Sequence, residues 1–273
     1  MAIAGQLRLI QRGTRQWDSW RQTNPNQRPD LSHSNLSGCR LEGLNLAGAD
    51  LSGADLRRAK LAGTNLERAN LNGAMLHHAD LTRANLAAAD LVTTSLIDAN
   101  LSCASLQGAS LTGADLRQAN LHRANLAGAN LAGANLFRAT LTRANLIGAS
   151  LQQAQLTQTL LPEVCFQEAN LDGASLQDSE CAGSQFYNTS LRRARLQQLH
   201  LNGAWLINVD FSGSDLRGSD FRGARLQSVR FSSAQLIGAT FRGAHLSDVT
   251  FTGAAMGDVD CSEAIAIRTI GFT

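Results

Sequence analysis

The sequence lacks an apolar run long enough to cross a membrane, a cysteine spacing suited to a disulfide framework or a zinc site, and an excess of one charge. Its first ten residues have neither the basic start nor the apolar stretch of a secretory signal, so a soluble cytoplasmic protein is expected. Lys and Arg total 24 against 22 Asp and Glu, for a formal net charge of +2. Aromatic residues make up only 5% of the chain, with a single Tyr, which gives little stacking surface for nucleic acid. The six His are scattered, and no Ser or Cys nucleophile falls into a recognisable arrangement with a base and a carboxylate. His77 and His78 are the only adjacent pair, and further metal ligands are missing around them. The Gly-rich segments have no P-loop lysine. An enzyme, a metal site, a cofactor and a small-molecule substrate are therefore not expected.

What the chain has instead is a period of five. From Leu31 to Cys261 every fifth residue is apolar, at forty-seven positions: thirty-seven Leu, seven Phe, two Cys and one Met. Five matches neither the 3.6 of a helix nor the 2 of a strand, so the repeat must be a unit that stacks on copies of itself. The residue two before each apolar centre is Ala at twenty-nine positions and otherwise mostly Ser, Thr or Val. A large and a small inward residue per repeat fill a narrow interior, and the other three face solvent. Twenty of the 24 Gly lie two residues after a centre, the third place of a turn with positive φ, as a type II turn requires.

Unusual residues reveal the length of a coil. Phe211, Phe231 and Phe251 are twenty apart, as are Phe221 and Phe241, and Phe166 and Phe186. Four pentapeptides therefore make a four-sided coil, and about twelve coils would form a rod roughly 58 Å long at sheet spacing. Asn45, Asn65 and Asn85, and then Asn125 and Asn145, fall on one row where side-chain amides can form a ladder. Leu161-Pro162-Glu163-Val164-Cys165-Phe166 keeps the phase, with Val164 as the small inward residue and Pro162 at the second place of a turn, so the core is expected to run through it. Cys39, Cys181 and Cys261 are placed inward and Cys103 and Cys165 outward, all reduced; Cys181 and Cys261 lie about 19 Å apart, too far to bond.

The runs Ala49-Asp50-Leu51-Ser52-Gly53, Ala54-Asp55-Leu56, Ala124-Asn125-Leu126 and Ala134-Asn135-Leu136 resemble the A-(D/N)-L-x-x signature of the pentapeptide repeat family over about residues 29–266. The Leu-rich composition and the Trp-Asp-Ser-Trp-Arg leader look like cyanobacterial members. The resemblance implies an all-β, right-handed quadrilateral β-helix, and it fixes no activity. Some family members bind DNA gyrase by mimicking duplex DNA, which needs extended acidic faces; here Arg57, Arg58, Arg68, Arg117, Arg123, Arg138 and Arg143 interleave with the acids. Direct nucleic-acid binding has as its best basic groups Arg83, Arg123 and Arg143 on one row and Arg192, Arg193 and Arg195 in one repeat.

Residues 1–28 break the pattern as an N-terminal helical cap would, with 29–266 as the β-helix and 267–273 as a short tail. Ile3, Leu7, Ile10, Trp17 and Trp20 fall near one helical stripe, interrupted at Gly13 and stopping before Asn24-Pro25. A rival reading makes this a basic docking helix using Arg8, Arg12, Arg15 and Arg21. At the other end, Phe251, Met256, Ile265, Ile267, Ile270 and Phe272 are the candidate surface of an end-to-end homodimer, set against a tail that folds back on its own last coil. On the flank, Tyr187 and Ile207 are twenty apart, and Trp205 neighbours Ile207 across one inward Leu, which makes a candidate protein-binding patch. The sequence thus points to a non-enzymatic protein-interaction scaffold in regulation, with no identified partner; the alternative is a DNA mimic that binds gyrase.

Overall fold

The computed structural model describes residues 4–11, 14–25 and 27–271. Ile3, Arg12, Gly13 and Phe272 lie outside the described residues. The chain divides into two compact units, residues 1–135 and 136–273. Each is a parallel β-solenoid in which every fifth residue pairs with the residue twenty further on, Asp50 with Asn70 in the first and Asp210 with Arg230 in the second. The coil is therefore four pentapeptides, as the Phe spacing predicts.

One repeat shows why five residues suffice. The centre Leu51 donates its N–H to the Asn70 carbonyl of the next coil (2.7 Å), and Gly53 donates to Asn72 (2.8 Å). Ala54 closes the turn onto the Leu51 carbonyl (3.0 Å), and Asp50 donates back to Pro29 (2.8 Å). The fifth N–H, of Ser52, goes to the Asp50 carboxylate (3.1 Å). Every backbone donor of the repeat has a partner, which a buried or half-buried backbone demands. Where Asp or Asn precedes a centre it thus acts as a turn cap built on the Asx pattern. The third place has positive φ throughout, +62° at Gly53 but also +58° at Arg58 and +55° at Asp98. Glycine is preferred there for sterics, yet the ladder holds other residues in the same conformation.

The core follows the two-position rule. Leu126 and Ala124 are buried, and so are Phe231 and Val229. In the second unit Phe166 stacks on Phe186, and the phenylalanines from Phe211 to Phe251 form two perpendicular columns. Phe231 stacks on Phe211 and on Phe251 at 5.1 Å, and Phe221 stacks on Phe241 at 4.6 Å. Across the interior Phe231 meets Phe241 edge to face at 5.9 Å. Hydroxyls at small inward positions reach backbone carbonyls twenty-three residues earlier, Thr64 to Leu41 (2.7 Å) and Ser214 to Leu191 (2.6 Å), so these buried hydroxyls are satisfied.

The segment around Pro162 stays in register, with Leu161, Val164 and Phe166 all buried. Pro162 has no N–H to be capped, and the capping position is accordingly apolar, Leu160. Val164 donates to the Ser184 hydroxyl (3.0 Å), which in turn donates to the Leu161 carbonyl (2.6 Å). The side chain from the next coil replaces the direct turn hydrogen bond. The Asn row forms in part, with Asn85 donating to Asn65 at 3.2 Å.

Two helices precede the first coil, α1 (Ala4–Gln11) and α2 (Thr14–Thr23). Their polar side chains occupy the hydrogen-bonding positions that a preceding coil would fill. Trp17 is fully buried and its indole N–H donates to the Asn45 carbonyl (2.8 Å). Arg21 donates to the Ala47 carbonyl (3.0 Å), and the Gln6 side-chain Oε1 accepts from the Asp30 N–H (2.8 Å). An otherwise open sheet edge is closed by side chains. Arg21 is consumed in this role, which leaves it unavailable to the docking-helix reading.

Candidate functional site

The regular bridges become continuous strands on only one side of the second unit. Among the described residues β1 (Gln185–Tyr187), β2 (Trp205–Ile207), β3 (Arg225–Gln227), β4 (His245–Ser247) and β5 (Ile265–Ile267) form a five-stranded parallel sheet in sequence order. Each strand buries its middle residue and points the two flanking ones outward, apart from β5, where all three are exposed. Register places Tyr187 beside Ile207 and Trp205 beside Arg225, then His245 and Ile265 along the same row. The predicted patch of Tyr187, Trp205 and Ile207 is therefore assembled on one face.

The face extends further than the sequence reading took it. The Arg225 guanidinium lies 4.5 Å from the Trp205 ring centroid, a cation–π contact. Trp205, Ile207, Arg225, His245, Ile265 and Ile267 line a shallow groove of about 330 Å³. Trp205 is 39% exposed, Ile265 52% and Ile267 56%, and together they make an exposed apolar patch around one groove. Ile265 and Ile267, expected at an end-to-end interface, thus share a flank with Trp205. The twenty-residue period carried that signal, since Trp205, Arg225, His245 and Ile265 form one arithmetic row.

Of the other candidate end residues, Ile270 is exposed and Met256 half-buried, whereas Phe251 is buried and stacked on Phe231. Phe251 contributes no surface. Two of the six candidate basic groups are ion-paired, Arg143 with Glu163 (2.8 Å) and Arg192 with Asp172 (2.6 Å). Four acids are held by an Arg two residues on: Asp55 by Arg57, Asp115 by Arg117, Asp215 by Arg217 and Asp220 by Arg222, at 2.6 or 2.7 Å. The hydrogen bonds from Arg57 and Arg217 hold the Asp55 and Asp215 carboxyls below the usual range, against a smaller opposing effect of burial.

One contact was not foreseen in the sequence. Ser95 Oγ and His77 Nε2 approach to 2.5 Å from neighbouring coils. No carboxylate pairs with His77 among the described residues, and Asp55 and Asp115 are tied to their arginines. The pair lacks the third group that orients a base toward a nucleophile. His78 lies 3.9 Å from Asp98, and no cluster of three potential metal ligands occurs among the described residues. All five cysteines are free; burial pushes the Cys181 thiol strongly up, aided by nearby Glu180, so it is inert packing. No helix among the described residues is long and apolar enough to cross a membrane.

Comparison with known proteins agrees with this geometry. A family model for pentapeptide repeats matches in overlapping copies over residues 30–178, and one for a pentapeptide repeat region matches 185–261. The chain belongs to the pentapeptide repeat family. HetL, a pentapeptide repeat protein involved in heterocyst differentiation regulation from Nostoc sp. strain PCC 7120, is 31% identical over 90% of this chain and 94% of its own, with a TM-score of 0.32. Rfr23 from Cyanothece 51142 is 20% identical over 46% of this chain and 90% of its own (TM-score 0.27). QnrB1, a plasmid-mediated fluoroquinolone resistance protein, is 17% identical over 54% and 86%, respectively (TM-score 0.41). No curated protein matches the sequence significantly.

Proposed function

We propose that the chain is a non-enzymatic scaffold of the pentapeptide repeat family that presents the outer face of β1–β5 to a protein partner and acts in regulation. The observation that carries this is the grouping of Trp205, Ile207, Ile265 and Ile267 on one flank of a solenoid whose other outward positions are mostly polar. Folding gives no reason to expose them, and aromatic anchors flanked by Arg are the composition of interface centres. The 31% identity to HetL, a regulator of differentiation, supports the regulatory part.

The gyrase reading has less behind it. A duplex mimic must offer a run of uncompensated carboxylates, and here Asp55, Asp115, Asp215 and Asp220 each carry a guanidinium partner. A gyrase supercoiling assay with the purified chain tests it: inhibition or protection at stoichiometric concentration would revive DNA mimicry. For the scaffold reading, the test is capture of a specific protein by the wild-type chain and its loss on Trp205→Ala, with an unchanged melting temperature.

A further inference from the structure

We infer that the groove on β2–β5 takes an amphipathic helix of the partner, laid along the stacking direction of the coils, with one carboxylate set against Arg225; this rests on the interaction-scaffold reading above. The backbone of β2, β3 and β4 is committed to the ladder on both sides. An added strand finds no edge along β2–β4, and among the described residues only β5 keeps an unpaired edge at the end of the row, so an occupant that lies along the row is held by side chains.

Spacing then selects the occupant. Coils repeat every 4.8 Å or so, and a helix turn rises about 5.4 Å. A helix along the row from Trp205 to Ile265, three coils or about 14 Å, drifts by less than about 2 Å over its length. One anchor per turn, at i, i+4 and i+7, can sit on each successive coil. An extended segment in the same direction repeats its side chains about every 6.8 Å and drifts by about 2 Å at each coil, about 6 Å over the same row and more than a whole coil. The corner beside the groove leaves room for the helix flank: around Gly203, Gly223 and Gly243 an added Cβ would meet nothing within 4 Å.

Charge selects the chemistry. Around the groove Arg222 is paired with Asp220, Arg242 with Glu263 and Arg268 with Asp248. Arg225 lies over Trp205 with no carboxylate partner among the described residues. One open cation in an apolar groove fits a single carboxylate on an otherwise apolar helix face. A nucleic acid strand would ask for a series of unpaired cations and more stacking rings.

The test is selection of a displayed library of 16-residue peptides on the full-length chain, counter-selected on Trp205→Ala. Enriched peptides are expected to carry apolar residues at i, i+4 and i+7 with one Asp or Glu, and to gain helicity on binding. Arg225→Glu should weaken the best of them about tenfold or more and restore binding when its acid is changed to Lys. Binders with period-two apolar patterning, binders indifferent to Arg225→Glu, or Trp205-dependent binding of a dT20 oligonucleotide would each overturn the inference. A photo-reactive residue at position 207 separates the two levels. If it captures a protein partner that Trp205→Ala loses while no helical peptide is selected, the helix inference falls and the scaffold reading stands. If neither is captured, both fall.

Discussion

Residues 1–135 and 136–273 use the same coil for different cores and different surfaces. Every centre from Leu31 to Leu131 is leucine, whereas the second unit holds all seven core phenylalanines together with Cys181, Met256 and Cys261. Among large exposed apolar side chains the first unit has Met75; the second has Ile147, Leu160, Trp205, Ile237, Ile265, Ile267 and Ile270. The ladder accepts either core because the backbone donors are satisfied within and between repeats, not by the core residue. Departures from the repeat in the second unit are therefore free to serve other ends, and the exposed face is where they gather.

The strongest way to break this comparison is through the aromatic columns. Phe231→Ala removes a ring that touches four others and should cost about 3–5 kcal/mol, read as a lowered denaturant midpoint. Leu126→Ala in the first unit should cost about 2–5 kcal/mol, while Asn130→Ser, at an exposed bridge position where a Ser hydroxyl can still cap the Ala132 N–H, should stay within about 0.5 kcal/mol. Equal midpoints for the last two variants would mean that the inward and outward assignment is wrong.

Smaller effects sharpen it. Ser184→Ala strands the Val164 N–H and the Leu161 carbonyl beside Pro162, and should cost about 1–3 kcal/mol. A neutral result would show that the direct turn bond re-forms there. Trp17→Phe keeps a six-membered ring in the cap but loses the N–H bond to Asn45 and the volume of the second ring at a fully buried site; about 1–2 kcal/mol is expected in thermal melts.

The pH dependence is the mildest. Asp55 and Asp215 have carboxyl pKa values lowered by their arginines. Their stabilisation is complete above the unfolded value of about 4 and is lost as pH falls through the lower folded value. Stability should be flat from about pH 8 to 5 and fall below about 4, with Asp215→Asn flattening that fall slightly in a denaturation series.

Much of this was legible in the sequence because a solenoid converts spacing into position. Phe231 and Phe251 stack because they are twenty apart, and Tyr187 lies beside Ile207 for the same reason. The Asx cap was missed because Asp50 reads only as a polar outward residue until its Oδ1 is placed over the Ser52 N–H. Arg225 was missed because arginine is common on this surface, and nothing in its local sequence marks it as the one lying over Trp205. Phe251 was placed at an exposed end because period alone does not show that the coil after it covers it.

The central claim is that the β1–β5 face binds a protein. The most direct measurement is quantitative capture from extract of the cells that make the chain, comparing wild type with Trp205→Ala and Ile207→Glu, each first shown to melt as wild type does. The account predicts at least one protein retained stoichiometrically by wild type and lost from both variants. An identical set of captured proteins for all three would contradict it.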